Sequence, residues 1–170
     1  HGFLGYSPDL PVPTLTQVLD GLPPANSAPI RVDKVPEESF RYSGGGYCIM
    51  QQMMIDKTGK TYPEVMEELI LSPLGMQHST YLQPLPAVLL TQAATGYLPD
   101  GSMTKGKRHT YAEMAAAGLW TTAKDLAKFA IDIYDTYHQR TNKVLQQSTV
   151  QQMLTPFVAD FIGLGIFLDK

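Results

Sequence analysis

The sequence predicts a mainly α fold with small β elements, and three observations carry that prediction. Behind three consecutive glycines runs the apolar segment Tyr47-Cys48-Ile49-Met50, which continues through Met53, Met54 and Ile55. Behind Thr122, the residues Leu126, Phe129, Ala130, Ile133, Tyr134 and Tyr137 recur at helical spacing. The β signals are few: the turn Pro99-Asp100-Gly101, and the stretch 161–168, which alternates loosely and reads as a strand.

At 170 residues and 44% hydrophobic, the chain can bury one real core, so a single domain over 1–170 is expected. It divides into a Pro-rich irregular lead-in (1–38), a helical region (39–160) with a hairpin near 93–104, and the terminal strand 161–168. Residues 1–36 hold seven of the thirteen prolines. Within them Thr14 to Gly21 reads as a short helix closed by Gly21. The prolines at 23, 24, 29 and 36 keep the following stretch extended or looped.

From Gly46 to about Lys57 the chain is apolar on nearly every side, which predicts a core helix with Gln51 and Gln52 as its wet edge. Its methionines are expected to fill gaps in the core. Thr58-Gly59-Lys60 ends it, and Thr61 caps the next helix with Glu64 as its partner. There Val65, Met66, Leu69 and Ile70 share one face, and Pro73 and Gly75 stop it. Thr122 is expected to cap the long helix with Asp125 answering it. A last short helix is expected from Ser148, with Gln151 completing its capping box and Val150, Met153 and Leu154 facing inward.

Net charge −3 and a pI near 5.7 argue against nucleic acid as a partner. The basic cluster Lys105-Gly106-Lys107-Arg108 reads as a solvated loop. The single cysteine, Cys48, excludes an internal disulfide and reads as a packing residue. His1, His78, His109 and His138 lack metal-ligand spacing, so neither a metal nor another cofactor is expected.

The stretch 40–47, Phe-Arg-Tyr-Ser-Gly-Gly-Gly-Tyr, sets two hydroxyl-bearing residues before a glycine turn that launches the core helix. Such a turn can hold Tyr42 and Ser43 at the mouth of a cleft. This block resembles the Tyr-Ser-Asn-x-Gly-Tyr block of the serine β-lactamase/D-alanyl-D-alanine-peptidase superfamily, in its class C β-lactamase-like branch with penicillin-binding and esterase relatives. Further blocks follow in the same order. Leu69 to Thr80 is similar to "I-x-x-P-L-G-M-x-x-T", Ala93 to Tyr97 to "A-x-G-Y", Ala117 to Phe129 to "G-G-L-x-S-T-A-x-D-L-A-R-F", and Gly163 to Phe167 to "G-L-G-F".

The resemblance implies the helical-domain portion of an α+β β-lactamase/transpeptidase-like fold, without most of its central antiparallel sheet. It implies an acyl-enzyme mechanism on a small-molecule substrate, whether β-lactam, D-Ala-D-Ala peptide or ester. Tyr42 takes the general base/acid role, and Ser43 and Gly44 fall on the substrate-binding positions. Gly44 replaces the family's asparagine, whose amide it cannot supply.

No Ser-x-x-Lys nucleophile motif is expected at any serine of the chain, and no Lys-Thr-Gly or His-x-Gly beyond the last strand. Lys57-Thr58-Gly59 spells that tripeptide but closes a helix. The chain is therefore expected to be an internal fragment of a longer enzyme, inactive by itself. The alternative is a non-catalytic relative that binds a peptide or acyl ligand. A fragment would leave the strand 161–168 with an open edge, which predicts self-association through it.

Overall fold

The computed structural model describes residues 2–169. Among the described residues six α-helices form: α1 (Leu15–Asp20), α2 (Gly44–Thr58), α3 (Tyr62–Met66), α4 (Met114–Ala117), α5 (Ala123–Tyr137) and α6 (Gln147–Met153). Between them lie a π-helical turn at Glu67–Leu71 and a 3-10 turn at Ala87–Leu89. Pairing between extended segments is limited to isolated bridges among the described residues, and no sheet forms. The chain folds into two compact units. The first comprises His1–Arg31, Ser43–Met66 and Thr80–Trp120; the second comprises Val32–Tyr42, Glu67–Ser79 and Thr121–Lys170.

In the first unit α2 is the hub, with α1, α3 and α4 packed on it. Local chemistry sets each helix end. Thr14 and Gln17 form a reciprocal capping box on α1, which closes at Gly21. Ser43 Oγ accepts Gly46 N–H at 3.1 Å to start α2. Gly59 ends α2 at φ 67°, a left-handed cap that a side chain would strain, and its N–H returns to Ile55 C=O. The core holds Tyr6, Val18, Cys48, Tyr62, Val65 and Ala112. The expected hairpin is present: Tyr97 bridges Met103 around Pro99-Asp100-Gly101.

Two expectations for α2 are corrected. The helix begins at Gly44, so the three glycines are its first turn rather than a loop before it. It is also not buried all round. Gln51, expected wet, is 2% exposed, whereas Met50 and Met53, expected in the core, are 44% and 59% exposed. The buried face is Gly44, Gly45, Cys48 and Gln51. It is chosen by closeness of approach: a Cβ on Gly45 would lie 2.8 Å from Ile30 Cδ1. Small residues admit that contact, and Met50 and Met53 are turned outward.

The second unit packs α5 against α6 and buries Leu71, Leu74, Met76, Ile133, Val150 and Ile162. The predicted apolar stripe of α5 is corrected as well. Its buried face is Asp125, Asp132, Ile133 and Thr136, while Leu126, Tyr134 and Tyr137 are exposed. The roll of the helix is set at its first turn. Asp125 accepts His78 N–H at 2.7 Å and Ser79 Oγ–H at 3.0 Å, and pairs with Lys128 Nζ at 2.8 Å. Lys128 also donates to Gly75 C=O. These bonds turn the polar residue inward, against its hydropathy. Thr122 caps α5 as expected, but Asp125 answers with its backbone N–H alone.

Helix α6 starts at Gln147 without a side-chain cap, so Ser148 is not the capping residue. In the π turn Leu69 is exposed and Leu71 buried, because the wider turn breaks the spacing that put Leu69 on the face of Val65. Segment 161–168 is not one extended strand. It folds back on itself, with Gly163 N–H donating to Ile166 C=O and Leu168 N–H to Phe161 C=O, both at 2.9 Å.

Candidate active site

Tyr42, Ser43 and Gly44 mark the point where irregular chain becomes helix. Tyr42 is 60% exposed, and its hydroxyl makes no hydrogen bond among the described residues. Ser43 is extended (φ −146°, ψ 103°), and its Oγ is committed to the α2 cap. Gly44 is the first helical residue and is buried. At a helix N-terminus the leading N–H groups lack intrahelical partners and carry the positive end of the helix dipole. The Ser43 hydroxyl and the first amides of α2 therefore lie at the positive end of that dipole. Arg41, the preceding cation, is engaged with Asp33.

The expectation that every serine fails the Ser-x-x-Lys spacing is corrected at one position: Ser102-Met103-Thr104-Lys105 has it. The structure argues against a nucleophile there. Ser102 lies in the hairpin turn, exposed, with Oγ donating to Asp100 Oδ1 at 2.6 Å. Lys105 reaches away to Asp9 at 2.7 Å. That pairing holds the Asp9 carboxyl down to about 2. A nucleophile needs its base within hydrogen-bond reach, and here both partners are engaged elsewhere. Lys57-Thr58-Gly59 is the C-terminal end of α2, as expected.

Two features of the first unit escaped the sequence. One is a cleft of about 490 Å³ lined by Val12, Leu15, Ile55, Tyr62, Tyr111 and Met114, among others. Its lining residues come from distant stretches that only the fold collects. The other is Glu113, 0% exposed, with neither carboxyl oxygen hydrogen-bonded at normal distance. Burial raises its pKa above the usual carboxylate value. Cys48 is pushed up to about 12, first by burial and then by the nearby Glu113. A thiol held neutral in this way is inert. A second buried acid, Asp132 in the other unit, is raised chiefly by burial and has Thr136 one helical turn away.

The family model "Beta-lactamase" matches residues 3–167. D-alanyl-D-alanine-carboxypeptidase/endopeptidase AmpH of Escherichia coli K12 is 25% identical over 147 residues, covering 79% of this chain and 36% of that protein. The D-amino acid amidase of Ochrobactrum anthropi SV3 superposes with a TM-score of 0.57 at 25% identity, covering 72% of this chain and 34% of the amidase. A penicillin-binding protein from Bacillus halodurans gives a TM-score of 0.61 at 23% identity, covering 88% of this chain and 44% of its own. The chain spans about a third of the length of the curated relatives it matches. The relatives named as peptidase and amidase are hydrolases, and the likeness in fold agrees with a helical portion of their architecture. A match over nearly its whole length places the chain in the Beta-lactamase family, within the superfamily of serine β-lactamases and penicillin-binding proteins.

Proposed function

We propose that this chain is an internal portion of a longer serine hydrolase that works through an acyl-enzyme on a β-lactam, a D-Ala-D-Ala peptide or an ester. The observation that carries the reading is the exposed, unbonded hydroxyl of Tyr42, one residue before the capped start of α2. A serine outside these residues attacks the acyl carbonyl. Tyr42 accepts the serine proton as that bond forms and returns it to the leaving group as the old bond breaks. Water then attacks the acyl-enzyme by the same route, releasing the acid and restoring the serine. Ser43 and Gly44 border the substrate.

In this reading the 170-residue chain is inactive by itself, because the serine that is acylated lies outside it. A second reading, a non-catalytic module binding a peptide or acyl ligand, draws support from Gly44, which offers no side-chain amide. Self-association belongs to the first reading. It would rest on the exposed Phe161, Leu164 and Phe167 rather than on an open strand edge, and sedimentation velocity over a concentration series tests it.

Treating the chain and its full-length parent with a fluorescent penicillin and an activated ester, read by intact mass, separates the two functional readings. Labelling of the parent alone supports the hydrolase. Absence of labelling in both overturns it in favour of the binding module.

A further inference from the structure

The cleft of the first unit is walled by parts that other contacts already hold in place. Gln51 Nε2 donates to Ala112 C=O at 3.0 Å, and its Oε1 accepts Ala115 N–H at 2.9 Å. Gln83 Nε2 donates to Gly118 C=O at 2.9 Å, and its Oε1 accepts Tyr111 N–H at 3.3 Å. Two side-chain amides thus pin the stretch 111–118, and both amides line the cleft themselves. The Tyr111 ring is packed against the chain at Gly5, where an added Cβ would come within 2.7 Å of its Cζ. Tyr62 is buried and meets Tyr81 edge-on, with ring centroids 5.2 Å apart. The wall is therefore preformed, which lowers the cost of ordering it around a ligand.

At about 490 Å³ the cleft falls in the size class of small-molecule sites, roughly 300–1,000 Å³. Its wall is mainly apolar, and the rings of Tyr62 and Tyr111 and the thioether of Met114 offer faces to an aromatic ligand. The polar part of the wall is rich in donors. Each pinned amide spends one N–H on the backbone and keeps a second, and Lys60 brings an ammonium group. No acidic side chain is among the lining residues. Glu64, which Lys60 also attracts, is engaged at the start of α3, where it accepts Thr61 N–H at 2.8 Å and the Thr61 hydroxyl at 2.7 Å.

We infer that this cleft is a binding site for a small aromatic monoanion, its ring system against Tyr62, Tyr111 and Met114 and its anionic head toward Lys60. A cation would meet like charge there, and an uncharged ring would keep the packing but forgo the charge-assisted bond. The cleft lies at the C-terminal end of α2, marked by Ile55 and Gly59, whereas Gly44 begins that helix. The 15 residues of α2 span about 22 Å. Binding here requires no acyl chemistry and is independent of the function proposed above.

Methionine-methyl NMR of the chain tests the site with anilinonaphthalene sulfonate, an aromatic anion, and with its uncharged relative N-phenylnaphthylamine. Met114 lines the cleft, whereas Met50 and Met53 are exposed on α2 outside it, so one spectrum carries its own control. The anion should shift the Met114 signal saturably and leave those of Met50 and Met53 in place. The uncharged relative should shift Met114 with an affinity about two- to fivefold weaker, the worth of one exposed ion pair. Lys60→Gln should weaken the anion by the same factor and leave the uncharged relative unchanged. Val12→Trp, at a half-exposed lining position, should abolish the Met114 shift with both compounds. Its ligand-free methionine spectrum reports whether the fold is kept. Absence of a saturable shift at Met114, or a shift confined to Met50 and Met53, overturns the site. An anion affinity that Lys60→Gln leaves unchanged overturns the ligand class.

Discussion

The Gln51 side chain caps helix α4 from outside it: Oε1 accepts Ala115 N–H at 2.9 Å, while Nε2 donates to Ala112 C=O at 3.0 Å. The residue at the α4 cap position, Glu113, gives no side-chain cap bond, and a helix this short cannot satisfy its own first turn. A glutamine more than 60 positions away in sequence performs that role, and α4 is thereby fastened to α2. Gln51→Leu keeps the volume but orphans one donor and one acceptor. It should destabilise the chain by about 2–4 kcal/mol, measured by urea unfolding.

Tyr42→Phe in the full-length parent should lower kcat/KM for an acyl substrate by about 10²–10⁴-fold, the usual worth of a positioned proton-transfer group. Because Tyr42 is largely exposed, the melting temperature should hardly move. A variant that keeps wild-type turnover would remove Tyr42 from the mechanism.

Ser102→Ala and Lys105→Met probe the misplaced Ser-x-x-Lys. Both should leave acylation of the parent unchanged, since the hydroxyl belongs to the hairpin turn and the ammonium to Asp9. Each is expected to cost less than about 1 kcal/mol, as exposed contacts do. Loss of labelling in Ser102→Ala would make that serine the nucleophile after all.

Adjacent glycines of α2 should respond in opposite directions. Gly45→Ala forces a methyl to 2.8 Å from Ile30 Cδ1 and 2.9 Å from its Cγ2, and should cost about 1–3 kcal/mol. Gly46→Ala meets nothing closer than Ser43 Oγ at 3.7 Å, and should gain about 0.5–1 kcal/mol from helix propensity. Paired thermal melts decide the point.

Asp125→Asn tests the α5 anchor through pH. Pairing with Lys128 comes first among the interactions that hold the Asp125 carboxyl below its ordinary value. Its contribution is present above the unfolded pKa and is lost as pH falls through the folded one. The stability gap between wild type and Asp125→Asn should therefore be constant around neutrality and close in acid. A gap independent of pH would mean that the hydrogen bonds from His78 and Ser79 matter and the charge does not.

What was legible in the sequence was local. The close of α1 at Gly21, the end of α2 at Gly59, the hairpin turn at Asp100 and the cap at Thr122 are each decided within a few residues, and each formed as read. The block 42–44 was visible for the same reason, as a short stretch at the start of a helix. Hydropathy misled where a distant contact chose the face. Ile30 selects the small side of α2, and the 75–79 stretch turns Asp125 of α5 inward. Both choices depend on residues far away in the chain, which no local period encodes. The cleft and Glu113 were illegible for that reason too, since their neighbours assemble only when residues 6–15, α2 and α4 meet.

The cap on α2 also gives the candidate site a direction. With one lone pair of Ser43 Oγ occupied by Gly46 N–H, that group keeps its hydroxyl proton and a second lone pair. It does so at the positive end of the α2 dipole. In the function proposed above, that end would favour a carbonyl or carboxylate oxygen over an ammonium group.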